Sequence, residues 1–476
     1  MAGAVMAGAA GGAGRSVAEQ AADFLIGLRH TSLDTDVVAI ARTALADYVG
    51  VALAGASEPV ARNVRAWAGE RAFGTMDATV IGAGGLRLDP ENAALCNAVA
   101  GHALDFDDTS WTTIGHPTTV VAPAALAIAE QVGASGADAL RAYVAGVEVA
   151  HRIAEFCMPE VSEAGWHTTG ALYALGAAAA AALLLDIDRA TCVHALGLAA
   201  SRSGGVRSNF GTQAKPWHAG MAARNGLEAV SLARAGVTAS RTAIEGQDGY
   251  VACLAGAASR ARIAGRDLPF GAPFDLVARG LAFKRFPCCS GAHPACDLTL
   301  DLMAEHGFGA DEVEEIQVGV SLLAERELVA HAPRTPQEAR FSMEFALAAT
   351  LVHGPLTWDL FAPETLADPA VRRLMAAVRL DVSPELAALG FIGTAPVRMT
   401  FRLRDGRTIH GARDLAIGNP ECPMSAEDHA AKFRSCAARA MAPEAADELL
   451  RRLRALDREP DLGALWAAAA QFELTA

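Results

Sequence analysis

Apolar residues recur every three or four positions along most of the first half of the chain. The pattern runs from Ser16 to about Ala264 and is clearest in Asp36–Leu53 and Asp138–Glu155. Because this spacing places apolar side chains on one face of a helix, the segment is predicted to be helical almost throughout. Glycine- and proline-containing clusters such as Gly82–Gly85 and Gly265–Pro273 mark the expected breaks between helices.

Beyond residue 273 the pattern changes. Val313–Val320 alternates β-prone residues, and Pro396–Gly411 is typical of a hairpin that turns at Asp405-Gly406. Helices are predicted at Pro336–Leu351 and Asp368–Val378, where they would pack on one face of the resulting sheet. A smaller α+β unit is therefore expected in this part of the chain.

The length of 476 residues exceeds the size at which a single hydrophobic core usually stops growing. The prediction is a mainly α protein, with a large all-helical domain at residues 15–270 and 415–476 and a smaller α+β lid domain at residues 271–414. Strong helical periodicity in Ser425–Phe472 places the end of the chain in the helical domain. Residues 1–14, rich in alanine and glycine and without the charged start of a signal peptide, are expected to form a disordered tail.

The charge balance and the cysteine content limit which binding partners and which cellular compartment are expected. Acidic residues outnumber basic ones 54 to 40, and no basic stripe is present, so a nucleic-acid partner is not expected. The nine cysteines are scattered without a Cys-x-x-Cys pair, which is typical of reduced thiols in a cytoplasmic protein. The apolar run Ala171–Leu185 is too short to cross a bilayer and is interpreted as a buried core helix, so no membrane partner is expected.

The densest polar cluster in otherwise apolar sequence is His102–Thr109, followed by Gly115–Thr118. Acids and histidines packed this closely are costly to bury without partners. The simplest interpretation is a helix end, at which Asp107, Asp108 and Thr109 cap the next element.

A chemical interpretation of the same cluster makes Asp105 and Thr109 hydrogen-bonding groups and His116 a proton carrier, because imidazole titrates near neutral pH. A metal site with aspartate and histidine ligands is a third, weaker alternative. Local chemistry alone does not choose among the three.

Two further segments contain candidate residues in apolar surroundings. His167 lies in Gly165–Gly170, directly before the apolar run, where a helix amino terminus favours a neutral ring or a bound anion. Taken alone, His167 and His218 are more often structural. Lys215 has few competing charges nearby and could hold a substrate carboxylate.

The segment Phe283–Pro294 lies near the predicted domain border, where ligand sites are frequent. It contains Lys284 and the adjacent pair Cys288-Cys289. Nothing nearby resembles a redox motif, so these thiols are interpreted as structural rather than catalytic.

These segments together resemble the MmgE/PrpD family, which includes 2-methylcitrate dehydratase, cis-aconitate decarboxylase and iminodisuccinate epimerase. The resemblance is carried, in order along the chain, by these motifs: His102–Thr109 with His116-Pro117, Gly165–Gly170, Lys215–Gly220, Lys284–Cys289 with His293-Pro294, and Gly418–Pro423 with Lys432-Phe433. It implies a helical domain with an α+β lid, a homodimer, a small polycarboxylate substrate, and neither metal nor cofactor.

Matched motif by motif, the family's site falls on six residues, namely Asp105, Thr109, His116, His167, Lys215 and Lys284. In cis-aconitate decarboxylases, the resemblance implies a catalytic histidine at the position of Cys289 and a tyrosine at that of Phe345.

The expected chemistry is metal-independent proton transfer beside a carboxylate of a di- or tricarboxylic acid. The catalytic residues would be His116, His167, Lys215 and Lys284, with Asp105 and Thr109 binding the substrate. Dehydration, decarboxylation and an iminodisuccinate-type epimerisation with two opposed bases all remain open. A family member that binds an organic acid without converting it is a further alternative.

Overall fold

The computed structural model describes residues 14–271, 273–390 and 393–470. The predicted tail at residues 1–14 therefore lies outside the described residues, apart from Gly14. The last residues of the predicted helical segment Ser425–Phe472 also lie outside them.

Helices make up most of the chain as far as residue 278, as the apolar pattern predicted. They are α1 (Val17–Leu28), α2 (Thr35–Gly55), α3 (Pro59–Gly69), α4 (Pro90–His102), α5 (Thr118–Val132), α6 (Gly136–Ala154), α7 (Glu160–Glu163), α8 (Thr168–Leu184), α9 (Arg189–Ala200), α10 (Ala214–Arg234), α11 (Tyr250–Ile263) and α12 (Asp275–Ala278). A short antiparallel pair, β1 (Ala78–Thr79) and β2 (Arg87–Leu88), lies between α3 and α4.

Helix α8 lies at the centre of this helical core and is buried along almost its whole length. Its alanine-rich sequence favours a helix and presents little bulk on any side. A Cβ atom added to Gly176 of α8 would lie 2.7 Å from the carbonyl oxygen of Gly146 on α6. Since real side chains do not approach that closely, these glycines let the two backbones touch. The predicted buried core helix is confirmed.

The ends of four packed helices meet at one place in this core. Helix α4 ends at His102, α5 begins just after His116, α8 begins just after His167, and Lys215 lies in the first turn of α10. Helix α10 packs against α4 and α8, and α5 packs against the same two helices. The helix packing therefore brings residues that are far apart in the chain to a common site.

A second hydrophobic core surrounds a four-stranded sheet. The strands are β3 (Val313–Val320), β4 (Val378–Val382), β5 (Val397–Leu403) and β6 (Thr408–Arg413). Their order is β4-β3-β5-β6, with β3 and β4 parallel and the other neighbours antiparallel. The predicted strand Val313–Val320 and the hairpin of β5 and β6 are confirmed.

The helices of this region are mostly short. They are α13 (His293–His306), α14 (Leu322–Glu327), α15 (Pro336–Ala339), α16 (Met343–His353), α17 (Pro363–Ala367), α18 (Pro369–Ala377) and α19 (Pro384–Ala387). The single helix predicted at Pro336–Leu351 was wrong, because the chain breaks between α15 and α16. The Ser342 hydroxyl accepts a hydrogen bond from the amide of Phe345 at 3.2 Å and so starts a new helix.

The final helices are α20 (Ala426–Ala437), α21 (Pro443–Leu453) and α22 (Leu462–Ala470), and α20 packs on α2. Their apolar side chains, among them Phe433 and Leu449, belong to the same buried core as α2 and α8. The mainly α fold class is confirmed. The domain boundaries and the role of the sheet region as a lid stay predictions.

Among the described residues, α2 is the one helix long and apolar enough to cross a membrane by length and composition. Of its apolar window, 72% is buried inside the protein, where α2 packs against α4 and α20. Burial in the core accounts for the composition of the helix.

Candidate active site

The turn that follows α4 places one carboxylate between two lysines. Asp105 has a φ of 51°, in the left-handed region that aspartate adopts more readily than bulkier residues. The Lys284 ammonium lies 2.8 Å from Oδ2 of Asp105 and donates a second bond of 2.8 Å to its main-chain oxygen. Lys215 donates to the other carboxylate oxygen, Oδ1.

Both lysines are buried, each with 3% of its surface exposed. The ammonium nitrogen of Lys215 lies 5.2 Å from the ring centre of Phe210 and 5.0 Å from that of Phe341. Aromatic faces attract a cation but replace little of its hydration, so a buried ammonium needs a carboxylate partner. Asp105 is that partner for both lysines, which leaves the trio with one ammonium group more than carboxylates.

Burial alone would raise the pKa of Asp105, but the ammonium groups of Lys215 and Lys284 hold it well below its usual range. Burial would lower the pKa of Lys284, and the Asp105 and Asp107 carboxylates outweigh that effect and raise it. Asp105 is therefore an anion and Lys284 a cation at neutral pH.

Imidazole rings are grouped directly beside this trio. The ring of His102 lies 4.7 Å from that of His116 and 5.6 Å from that of His167, measured between centres. The Nδ1 atom of His102 lies 2.8 Å from Oδ2 of Asp107. The Nδ1 atom of His116 donates to the carbonyl oxygen of Asp108 at 2.7 Å.

The third ring, His167, is joined to His218, with their Nδ1 atoms 3.1 Å apart. One nitrogen must donate and the other accept. The Nε2 atoms of His102 and His167 are buried, and neither has a hydrogen-bond partner within the described part of the chain. A buried polar atom without a partner costs about 1–3 kcal/mol, so both nitrogens suit a ligand that would pair with them.

All of these imidazoles favour the neutral form. Burial lowers the pKa of His102, His116 and His167 well below the usual value, and the positive charge of Lys215 acts in the same direction on each. Burial and Lys215 lower the pKa of His218 to about 4. At neutral pH the rings of His102 and His116 therefore keep a free lone pair on Nε2, as does whichever of His167 and His218 donates through Nδ1.

The capping interpretation of the polar cluster holds for Asp108. Its carboxylate accepts bonds from the amide and the hydroxyl of Thr118, the first residue of α5, and burial raises its pKa to about 8. Asp107 is paired with His102 instead. Thr109 exchanges two main-chain hydrogen bonds of 2.8 Å with Ala282, which fixes the strand-like segment that leads to Lys284.

A narrow pocket, with free space for little more than a water-sized group, opens onto this cluster. His102, Asp105, Lys215, Arg340 and Phe341 are among the residues that line it. The buried guanidinium of Arg340 donates to the carbonyl oxygen of Leu104 at 3.1 Å, next to Asp105. The pocket wall carries the cations Lys215 and Arg340 and the carboxylates of Asp105 and Glu58. Asp105 is paired with the two lysines and Glu58 with Arg439, so Lys215 and Arg340 are the wall groups that could bind an anion.

The six predicted residues divide into two groups with respect to this pocket. Asp105 and Lys215 line it directly. Lys284 contacts Asp105, while His116 and His167 contact His102. The hydroxyl of Thr109 lies 3.1 Å from that of Ser290 and is not among the described groups on the pocket wall.

Sequence reasoning had not given roles to His102 or Arg340, and it had given Asp107 only a capping role. His102 could have been found, because it lies three residues before Asp105 within the same motif. His218 likewise follows Lys215 by three positions on one helix, where side chains share a face. Arg340 is far away in the sequence and offers no local signal.

The groups of His102, Asp107 and His116 could also hold a metal ion, because one ligand atom from each lies within 4.8 Å of the others. A cation there would be repelled by Lys215 and Lys284, whose charges act on both imidazoles.

Comparison with known proteins agrees with the motifs. Residues 19–262 match the MmgE/PrpD N-terminal domain, and residues 286–458 match the MmgE/PrpD C-terminal domain. The chain belongs to the MmgE/PrpD family. The resemblance inferred from the sequence motifs is thus confirmed.

Several curated relatives of this MmgE/PrpD chain share its whole length. It is 29% identical to cis-aconitate decarboxylase from Homo sapiens over 467 residues, which cover 95% of this chain and 94% of that protein. The mouse protein of the same name, from Mus musculus, is 29% identical over 95% and 93% of the two chains. Cis-aconitate decarboxylase from Aspergillus terreus is 25% identical over 91% of each chain. These MmgE/PrpD relatives are enzymes of the decarboxylase type.

Cys289 and Phe345 are the two positions at which MmgE/PrpD decarboxylases were expected to have other residues. The two lie in different surroundings. The thiol of Cys289 is buried and lies 3.6 Å from Oε2 of Glu327, whose carboxyl group is close enough to Lys215 to be affected by its charge. Phe345 is fully buried in the second core, with its ring 5.3 Å from that of Phe361. Cys289 therefore adjoins the site, whereas Phe345 is a core residue.

Proposed function

We propose that this chain is a lyase that forms a carbanion beside a carboxylate of a small polycarboxylic acid. The first reaction to test is decarboxylation of a tricarboxylate of the cis-aconitate kind. The observation that carries the proposal is the pair of buried ammonium groups, Lys215 and Lys284, beside a group of neutral imidazoles.

The chemistry requires such cations. Breaking a bond to the carbon beside a carboxylate leaves an electron pair on a group that is already anionic, so a second negative charge develops. Fixed positive groups in a site that excludes water stabilise that charge far more than solvent does. Lys215 and Arg340 line the pocket and are assigned to bind the substrate carboxylates. Lys284 contacts Asp105 and adds its positive charge to the electrostatic field of the site.

The imidazoles supply the proton chemistry. A neutral ring can accept a proton from the substrate, and its protonated form can return one to the carbanion. His116 and His167 are assigned this role because the rings of both contact that of His102, which lines the pocket. Asp105 holds the lysines in place, and Thr109 fixes the segment that leads to Lys284. The proposal needs no metal.

A second candidate is elimination of water or epimerisation in place of loss of CO₂. It is favoured by the thiol of Cys289 at a position where the resemblance implies a histidine in decarboxylases. All these reactions share the carbanion, so the lysines and imidazoles keep their roles. They differ in the leaving group, or in whether a second base returns the proton on the opposite face.

One experiment separates these reactions. The wild-type chain is incubated in deuterated water with cis-aconitate, 2-methylcitrate and iminodisuccinate, and NMR follows each acid. Release of CO₂ with deuterium in the product supports decarboxylation, loss of water supports dehydration, and exchange with inversion supports epimerisation. Binding by calorimetry without exchange or turnover would contradict the proposal and leave a non-catalytic binding protein.

Variants then test the residue roles. His167→Ala and Lys215→Ala are each expected to lower kcat by at least about 100-fold, because they remove a proton-transfer group and a charge-stabilising group. Arg152→Ala is the control, because Arg152 is another buried cation, 2.7 Å from Glu148, and does not line the pocket. It should lower stability while changing kcat little. Near-native rates in both site variants would refute these assignments.

A further inference from the structure

Two of the buried aspartate–histidine pairs in the helical core differ in the hydrogen bonds of the histidine. In the first, Nδ1 of His151 lies 2.7 Å from Oδ2 of Asp275, and its Nε2 lies 2.9 Å from the hydroxyl of Tyr173. Both ring nitrogens of His151 therefore have partners. In the second, Nδ1 of His102 lies 2.8 Å from Asp107, and its buried Nε2 has no partner among the described residues.

The position of the second pair is also different. His102 lines the pocket that contains Lys215 and Asp105, and its ring contacts those of His116 and His167. A purely structural histidine at such a depth would be expected to have both nitrogens bonded, as His151 has. The unpartnered nitrogen of His102 lies where a substrate could supply the missing partner.

Asp107 determines which nitrogen of His102 is available. Its carboxylate lies 2.8 and 3.1 Å from Nδ1 through its two oxygens, and its side chain is fully buried. A carboxylate at this distance accepts the Nδ1 proton, so the lone pair is on Nε2. The same carboxylate stabilises the positive ring that forms when Nε2 takes up a proton. This is the arrangement by which a buried aspartate orients a catalytic imidazole.

We propose that His102, oriented by Asp107, is a further proton-transfer residue of this site. The proposal rests on the proposed lyase function. In the decarboxylation, the carbon–carbon bond to the leaving carboxylate breaks, CO₂ departs, and the electron pair stays on the substrate as a carbanion conjugated to a remaining carboxylate. Before this step, Nε2 of the neutral ring takes up one proton from solvent, and the Asp107 carboxylate stabilises the positive ring that results. After CO₂ has left, the Nε2–H bond breaks, the proton forms the new C–H bond, and His102 returns to its neutral form. The solvent thus supplies the one proton that each decarboxylation consumes.

Three variants of the full-length chain test this role. His102→Gln removes the imidazole, and Asp107→Asn keeps the imidazole but removes the carboxylate that fixes its tautomer. His151→Gln is the matched control, because it breaks the other buried aspartate–histidine pair. For each variant, kcat, KM and the deuterium content of the product are measured with cis-aconitate, together with the midpoint of urea denaturation.

We expect His102→Gln and Asp107→Asn each to lower kcat by at least about 100-fold, with KM changed by less than about threefold. His151→Gln should lower the denaturation midpoint while keeping kcat within about threefold of the wild-type value. If His102→Gln does not fold, Asp107→Asn decides alone by the same criteria, because it keeps the volume of the side chain.

Other outcomes would overturn the inference. Retention of kcat by Asp107→Asn and by any folded His102→Gln would show that the pair transfers no proton. A rise in KM with kcat unchanged would show a binding role, and an equal loss of kcat in His151→Gln would show a general structural effect. A wild-type chain without turnover or exchange would overturn the proposed function and this inference together, whereas an active wild type with unaffected variants overturns this inference alone.

Discussion

Lys284 binds both the side chain and the main chain of Asp105, with its ammonium nitrogen 2.8 Å from Oδ2 and 2.8 Å from the carbonyl oxygen. Asp105 has a positive φ, which is uncommon for a residue with a side chain. The second bond stabilises this conformation by satisfying the carbonyl of the turned residue. The same lysine thus fixes the shape of the turn and contributes positive charge to the site.

Asp105→Asn should therefore damage both stability and catalysis. It leaves two buried ammonium groups without a carboxylate, and breaking a buried ion pair typically costs about 3–5 kcal/mol. We expect the free energy of unfolding in urea to fall by about 3 kcal/mol or more, and kcat to fall by at least about 100-fold.

The control for Asp105→Asn is Glu148→Gln, which breaks the buried Arg152–Glu148 pair outside the pocket. It should destabilise the protein to a similar extent but keep kcat near the wild-type value. An Asp105→Asn protein as stable as the wild type would contradict the assignment of Asp105 as the shared counter-ion.

His218 should make stability depend on pH below neutrality. Its pKa is lowered to about 4 by burial and by Lys215, whereas in the unfolded chain it is near 6.5. The stability that the neutral ring contributes is thus complete above pH 6.5 and is lost as the pH falls towards 4. Between pH 6 and 5, the unfolding free energy of the wild type should fall faster than that of His218→Gln by about 1.4 kcal/mol per pH unit.

Urea denaturation of both proteins from pH 8 to 4.5 measures this difference directly. Groups that do not contact His218, including Asp108 with its raised pKa, contribute equally to both curves and cancel in the comparison. The ring of His167 is bonded to His218 and responds to the substitution, so the difference reports this bonded pair. Above pH 7 the two curves should be parallel. Parallel curves between pH 6 and 5 as well would mean that His218 is not held neutral by its surroundings.

The spacing of apolar residues predicted most of the helices and strands, because it depends only on residues that are close together in the sequence. The buried run at α8, the strand Val313–Val320 and the hairpin of β5 and β6 all follow from spacing within a few residues. The helix break at Arg340–Ser342 was missed because the apolar pattern continues through it. What decides the break is a single hydroxyl, that of Ser342, which caps the second helix.

The site could be predicted only as far as motifs give residue types. The motifs gave the lysines, two of the histidines and Asp105, but not the way in which they pair. Lys215 and Lys284 share one carboxylate, that of Asp105. Asp105 precedes each lysine by more than a hundred residues, so no local pattern predicts the pairing. Arg340 joins the pocket only because α15 and α16 are separated, which no local pattern shows.

Cys289 is expected to be dispensable as a nucleophile. Burial raises the pKa of its thiol, with the Glu327 carboxyl group acting in the same direction, so little reactive thiolate forms at neutral pH. Cys289→Ser should keep kcat within about fivefold of the wild-type value. Iodoacetamide at pH 8 should label the exposed Cys253 without inactivating the protein. Inactivation that follows alkylation of Cys289, identified by peptide mass spectrometry, would restore the catalytic-thiol alternative.

Activity should survive removal of metal ions. His102, Asp107 and His116 are close enough to bind a cation, but the positive charges of Lys215 and Lys284 oppose one there, and Nδ1 of His102 is engaged by Asp107. Dialysis of the protein against EDTA, followed by assay in metal-free buffer, should leave kcat unchanged, and added Zn²⁺ or Mg²⁺ should not raise it. Loss of activity that a divalent ion restores in the wild type, but not in His116→Ala, would instead identify this cluster as a metal site, because ligand loss lowers metal affinity.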